Sequence, residues 1–224
     1  MVKLAQQPAS PQSEYFFDME QGTDAWFELR KGIPTSSVFS TIMASGKDGG
    51  ESVGRRKLMY RLAGEILTGL PGETYKNSSM DRGSEMEADA RAHYERTRLV
   101  DLQRVGFVRR KLASGRYVGC SPDGLVGDRK VLELKTMKPE LLIELALKGA
   151  AGFPTEHRQQ CQGALWLTER DECDLMIFYR NMPVAPCFKI ERDDIFIRQI
   201  DEQVQIFDHE LHRLVEKLRA MGWK

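Results

Sequence analysis

Residues 120–136 read Cys-Ser-Pro-Asp-Gly-Leu-Val-Gly-Asp-Arg-Lys-Val-Leu-Glu-Leu-Lys-Thr. The stretch holds a tight Ser121-Pro122-Asp123-Gly124 segment, a Gly127-Asp128 turn, and a strand in which Val131, Leu132 and Leu134 frame two charges, Glu133 and Lys135. Residues two apart on a strand point to the same face, so Glu133 and Lys135 project together while Leu134 enters the core. A hairpin at the turn brings Asp123 alongside them. Two carboxylates and an ammonium then converge at one end of a sheet. Carboxylate oxygens suit a hard divalent cation that keeps positions open for water and a phosphate oxygen. Such a cation polarises a phosphoryl group, and a lysine beside it orients the attacking water or helps it lose a proton. The same charges also fit a plain surface hairpin with a weak Glu133–Lys135 ion pair. The apolar flanks favour the first reading, because a paired charge inside an apolar strand needs a reason.

Outward from this segment, helical and strand patterns alternate. Residues 1–14, rich in Ala, Gln, Pro and Ser, read as a flexible tail. Order is expected from Tyr15 onward, as one domain over residues 15–224. Helical spacing covers residues 24–29, the Thr35-Ser36-Ser37 cluster through Ile42, residues 58–67 up to Gly69, and residues 84–97. Strand patterns follow at 107–112, 116–120 and 130–135, helices at 139–147 and 156–167, and strands at 174–179 and 187–191. Phe196, Ile200, Val204, Phe207, Leu211, Leu214 and Leu218 mark a long closing helix. The order implies a mixed α/β fold, with a central mixed β-sheet flanked by helices.

The chain has 224 residues, 41% hydrophobic and 29% charged, which fits a globular domain and excludes disordered, collagen-like and coiled-coil classes. Its 33 basic and 33 acidic residues cancel, which excludes a uniformly basic nucleic-acid coat or a supercharged membrane binder. Charge is nevertheless segregated. Arg55, Arg56, Lys57 and Arg61 form one basic cluster; Arg104, Arg109, Arg110, Lys111 and Arg116 form another with no acid between them. A charge run is usually a solvated face, but two in a neutral chain suggest tracks for a phosphate backbone, reading charge and not sequence. No apolar run approaches the roughly 18 residues of a membrane span, and the first residues lack the apolar stretch of a signal peptide, so a cytoplasmic location without membrane contact is expected. Cys120, Cys161, Cys173 and Cys187 show no close metal-ligand spacing and read as reduced, mostly buried residues.

Asp123 with Glu133-Leu134-Lys135 resembles the PD-(D/E)xK nuclease signature. Further pieces resemble the phage lambda exonuclease, or YqaJ-type viral recombinase, family. They are Glu20-Gln21-Gly22, Asp24-Ala25-Trp26, Leu29-Arg30, Gly32, Thr35 and Ser37, then Gly83, Glu87 and Asp89-Ala90-Arg91, then Cys120 to Leu125, and finally Gln160, Gln162 and Trp166. They occur in family order over residues 20–168, and together are far more specific than the core motif alone.

The resemblance implies that Asp123, Glu133 and the main-chain carbonyl of Leu134 hold magnesium, with manganese as a substitute. Lys135 would assist the water, with Glu87 and Gln160 as further catalytic residues. Relatives carry Tyr where this chain has His157, whose role stays open. Arg30, Ser37 and Ser121 match a pocket for a 5′-phosphate, a role suited to a guanidinium and to hydroxyls near a helix start. Each also has a plainer reading as a surface arginine or a helix cap. Met80 matches an apolar wedge between DNA strands, though an isolated Met usually fills a gap. Thr35, Lys47, Arg55, Arg56, Arg109 and Arg110 complete the expected DNA contacts. The activity implied for the domain is a magnesium-dependent 5′→3′ exonuclease that acts on ends of linear double-stranded DNA. It would release mononucleotides and leave a 3′ overhang for recombination by strand annealing. Also implied are a homotrimer ring, a single-strand annealing partner, and a phage or prophage origin in a bacterial cell. The rivals are an endonuclease on the same core and a non-catalytic DNA-binding or annealing module. The second is disfavoured, because a binding module gains nothing from carboxylates facing phosphate.

Overall fold

The computed structural model describes residues 13–46, 49–72 and 78–223, the side chains of 78–85 and 150 excepted. The chain runs β1 (Ser13–Phe16), α1 (Asp24–Arg30), a 3-10 turn at Ser36–Val38, α2 (Phe39–Met43), α3 (Val53–Thr68) and α4 (Ser78–Arg98). It continues through β2 (Phe107–Lys111), β3 (Tyr117–Cys120), β4 (Gly124–Val126), β5 (Lys130–Thr136), α5 (Pro139–Lys148), α6 (Arg158–Thr168), β6 (Glu172–Phe178), β7 (Cys187–Glu191) and α7 (Asp194–Ala220).

The class is mixed α/β as expected, and the strands divide between two sheets. One is antiparallel, in the order β1-β2-β3; the other runs β4-β5-β6-β7. Ser121-Pro122-Asp123 lies between β3 and β4, and Pro122 has no N–H to give to a ladder. In the larger sheet β5 and β6 are parallel, with Glu133 opposite Leu175, and the other pairs are antiparallel. Parallel neighbours need a long crossover, which α5 and α6 supply. Leu132, Leu134, Met176 and Phe178 face Ala90 and Tyr94 of α4. Val131, Cys173, Leu175 and Ile177 share the main core with Cys161, Ala164 and Leu165 of α6. Both faces of the sheet are therefore covered, which explains why β5 and β6 read as nearly continuous apolar runs.

Close approaches fix the helices. At Gly163 of α6 an added Cβ would lie 2.5 Å from the Phe39 ring, so the Phe39 side chain of α2 packs directly against the α6 backbone. The α7 stripe buries Ile197, Ile200, Val204, Phe207, Leu211 and Val215, and Asp208 is buried among them. Its carboxylate accepts hydrogen bonds from Arg116 at 2.6 Å and from Ser114 at 2.8 Å, which ties α7 to the β2–β3 hairpin.

Several local expectations shift. The strand at β1 begins at Ser13, two residues ahead of Tyr15, while residues 1–12 of the expected tail lie outside the described residues. Helix α4 begins at Ser78, six residues before position 84. Strand β4 is only three residues long, too short for an alternation to register. Thr35 makes no side-chain cap and instead pairs as a parallel bridge with Gly119. Cys120, Cys161 and Cys173 are buried, Cys187 is partly buried, and all four are free thiols. No helix among the described residues is long and apolar enough to cross a membrane.

Candidate active site

The β4–β5 hairpin forms as the turn chemistry suggests, with Gly124 opposite Leu132. Asp123, at its mouth, donates its N–H to the Leu132 carbonyl at 3.1 Å, and its Oδ2 accepts the Leu134 N–H at 2.6 Å. The carboxylate is thereby fastened to the strand that carries the other charges. Glu133 is only 1% exposed. Its Oε2 accepts a hydrogen bond from Gln160 Nε2 of α6 at 2.6 Å and lies 3.8 Å from Lys135 Nζ. Its Oε1 is buried with no hydrogen-bond partner. From the opposite layer, α4 supplies Glu87, which pairs with Arg91 at 3.6 Å.

Burial raises the pKa of Glu133 to about 8, and the negative charge of Asp123 adds to it against the opposing pull of Lys135 and Gln160. Asp123 is raised by burial, opposed by Lys135 and by the Leu134 N–H. Glu87 is raised by burial and then by Asp123. Burial works to lower Lys135, but Glu133 and Asp123 outweigh it and the net shift is upward. His157, partly buried just before α6, is lowered by burial and then by the Lys135 charge.

Three carboxyl groups thus influence one another in a site short of positive charge. A divalent cation would supply the missing positive charge. The orphaned Glu133 Oε1 beside Asp123 fits that group, since a buried acceptor without a partner is costly. Among the described residues no three or more His, Cys, Asp or Glu side chains are grouped so as to hold a metal ion by themselves. Two carboxylates with a main-chain carbonyl would leave the remaining positions to water and substrate, as hard-cation sites in phosphoryl chemistry do.

A second cluster adjoins the first through the chain. Trp26 of α1 donates from Nε1 to Ser121 Oγ at 3.0 Å and to the Gly106 carbonyl at 2.9 Å. Arg30, one helical turn on, places Cζ 3.8 Å from the Trp26 ring centroid. The indole therefore joins Arg30 to Ser121, two residues before Asp123. Arg30 Nε is buried without a partner. Its pKa is lowered to about 10, by burial and then by the charge of Arg61. Ser37 is exposed, and its hydroxyl oxygen lies 3.1 Å from that of Thr35.

The basic runs are not open rows of cations. Arg109 pairs with Glu14 at 2.7 Å and lies over the Tyr117 ring. Arg110 pairs with Glu169 at 3.0 Å, and Arg55 pairs with Glu210 at 2.7 Å. Arg116 is held by Asp208. Neighbours in sequence gave no sign of these acids, because they come from distant parts of the chain. Arg56 and Lys57 stay exposed. Lys47 lies outside the described residues; Met80 falls on α4 with its side chain outside them.

A cleft of about 310 Å³ opens beside Asp123, bounded by Phe17, Gln21, Arg91, Arg104 and Pro122 among others. Gln21 donates to the Pro122 carbonyl at 3.0 Å and the Val105 carbonyl at 3.1 Å, fastening the segment before α1 to the loop that carries Asp123. The sequence motifs gave Arg91 no role. It entered only as part of the Asp89-Ala90-Arg91 piece, although its position four residues beyond Glu87 puts both on one helix face.

Comparison with known proteins agrees with this architecture. An alkaline exonuclease from Laribacter hongkongensis, LHK-Exo, is 31% identical, superposes with a TM-score of 0.77, and is matched over 89% of this chain and 98% of its own. The same enzyme in complex with dAMP gives a TM-score of 0.79. A phage-related exonuclease from Haemophilus somnus shares the fold at 17% identity and a TM-score of 0.64, over 86% of this chain and 99% of that one. Among curated proteins none matches the chain. The family profile described as a YqaJ-like viral recombinase domain matches residues 25–171, and with the LHK-Exo likeness it shows that this chain belongs to the YqaJ-like viral recombinase family of nucleases.

Proposed function

We propose that the chain is a magnesium-dependent exonuclease that degrades one strand of linear duplex DNA from its 5′ end, releasing mononucleotides and leaving a 3′ overhang. The observation that carries this reading is the adjacency of two clusters along one short loop. Ser121 belongs to the Arg30–Trp26 group, while Asp123 faces Glu133 and Lys135. A 5′-terminal phosphate seated on Arg30, Ser37 and Ser121 would leave the first phosphodiester near the carboxylates, so an end would be recognised and cut one nucleotide at a time.

Asp123, Glu133 and the Leu134 carbonyl are the groups that would hold the cation, with Glu87 close by. When bound, the cation supplies Lewis acidity toward the phosphoryl oxygens. Gln160 fixes the Glu133 carboxylate. Lys135, held cationic by its two acidic neighbours, orients the attacking water at its Nζ and steadies the charge that develops. Trp26 holds the guanidinium of Arg30 over its ring, and a guanidinium so placed suits bidentate contact with phosphate.

Family membership supports the wider reading: a ring of three copies around the duplex, and transfer of the overhang to a single-strand annealing protein for phage-type recombination. Digestion of end-labelled, 5′-phosphorylated linear duplex tests the central reading. Lys135→Ala and Asp123→Ala are each expected to lower the rate by roughly 10²–10⁴-fold, and a covalently closed circle should stay intact. Parent-like rates in both variants would place the chemistry elsewhere, and cleavage of the circle would make the enzyme an endonuclease.

A further inference from the structure

Arg61 lies on α3, outside every motif that marks the family resemblance, with its side chain 55% exposed. Its ion-pair partner among the described residues is Glu65, one turn further on, at 3.8 Å. Glu65 is unusual for an acid on a helix, being 8% exposed. Its Oε2 accepts the backbone N–H of Gly32 at 2.8 Å. Gly32 follows Arg30 by two residues, has φ +67°, and an added Cβ there would lie 2.6 Å from Ile66 of α3. Lys31 adds a hydrogen bond to the Gly69 carbonyl at 2.7 Å. The turn that ends α1 is therefore pressed onto α3, and one buried carboxylate holds both that turn and Arg61.

The consequence is electrostatic. After burial, the Arg61 charge is the largest influence lowering the pKa of Arg30, and Cys120 and then Glu65 oppose it. Arg30 has no carboxylate within ion-pair distance among the described residues, and its Nε is buried without a partner. A buried guanidinium beside a second cation is unfavourable unless an anion is supplied. A terminal phosphate monoester carries close to two negative charges near neutral pH, against one on an internal phosphodiester, and exposes three oxygens. Two guanidinium groups can share those oxygens.

We infer that Arg61 is a second phosphate-binding cation of the Arg30 pocket, positioned by Glu65, and that it selects a terminal phosphate over a hydroxyl end. The inference rests on the 5′-phosphate reading proposed above and deepens it. Initial rates on linear duplex bearing either a 5′-phosphate or a 5′-hydroxyl test it in the parent, Arg30→Gln, Arg61→Gln and Arg61→Lys proteins. The phosphate-to-hydroxyl rate ratio is expected to fall about tenfold in Arg61→Gln, the order of one charge-assisted contact, and to recover in part in Arg61→Lys. A purely structural role for Arg61 would scale both rates together and leave the ratio alone. If Arg61→Gln keeps the parental ratio while Arg30→Gln loses it, the second cation is overturned and the pocket stands. If neither variant changes the ratio, the 5′-phosphate pocket itself is overturned.

Discussion

Gln160 donates an amide hydrogen to Glu133 Oε2 at 2.6 Å, and so fixes a carboxylate whose other oxygen is buried without a partner. An unsatisfied buried acceptor costs about 1–3 kcal/mol, more if it is charged. Without a cation, the site is kept at the expense of the fold's stability, and this makes the candidate metal-binding residues visible in unfolding experiments as well as in kinetics.

In metal-free protein, the melting temperature should fall as pH rises from about 4.5 to about 8. Folded Glu133 keeps its proton up to about 8, whereas its ordinary value is 4.5. Between these limits the folded state binds more protons than the unfolded one, so each rise in pH removes stability until the folded group has ionised. Asp123 and Glu87 shift in the same direction, so Glu133→Gln should remove part of the slope and raise the melting temperature at pH 8. Magnesium, competing with protons, should stabilise the parent more at pH 8 than at pH 6. Thermal melts in EDTA and in magnesium measure both, and a variant with the parental slope would argue against a buried, strained Glu133.

Replacing Gln160 by Ala frees the Glu133 carboxylate without removing a proposed ligand. Supporting contacts of this kind typically change metal affinity by about 10–100-fold. The half-saturating magnesium concentration should rise by that order, while the rate at saturating metal falls less. A metal titration of digestion rate separates the two, and an unchanged midpoint would leave Gln160 as a helix residue with no part in the site.

The Asp208–Arg116 contact offers a stability prediction away from the chemistry. Arg116→Met should cost about 3 kcal/mol, the low end for breaking a buried pair, because the Arg116 side chain is partly exposed. The hydrogen bonds of His212, Arg116 and Ser114 hold the Asp208 carboxyl well below its ordinary value, although burial opposes them. That stability is present above pH 3.8, the ordinary value, and is lost as pH falls toward the depressed one. Urea unfolding at pH 7 and at pH 3 should show the parent and variant converging at the lower pH.

The core of the candidate site was legible because it is local. Leu132 to Lys135 alternate with the period of a strand, Gly127-Asp128 turns the chain, and Asp123 therefore meets Glu133 within one hairpin. The long apolar stripe of α7 was likewise readable, since a 3.6-residue period needs no knowledge of its partner. The division into two sheets was less so, because β4 is three residues long and only its pairing with β5 reveals it.

The basic runs show the limit most clearly. In the sequence, Arg109, Arg110 and Arg116 formed a cluster without a nearby acid. In the fold, Arg109 meets Glu14 across 95 positions and Arg116 meets Asp208 across 92. Charge in a sequence counts residues, whereas charge at a surface depends on which long side chains find counter-ions after packing.

By itself, then, the sequence determined the strand that carries Glu133 and Lys135, the turn that delivers Asp123, the helices around them and the family they resemble. Backbone periodicity and turn stereochemistry act over a few residues and so are written along the chain. Only the tertiary structure decided that Gln160 binds one Glu133 oxygen while the other is left unpartnered, that Trp26 joins Arg30 to Ser121, and that Glu65 ties Arg61 to the turn at Gly32. These contacts join separate elements, and their energies depend on burial and distance, which exist only once the elements have packed.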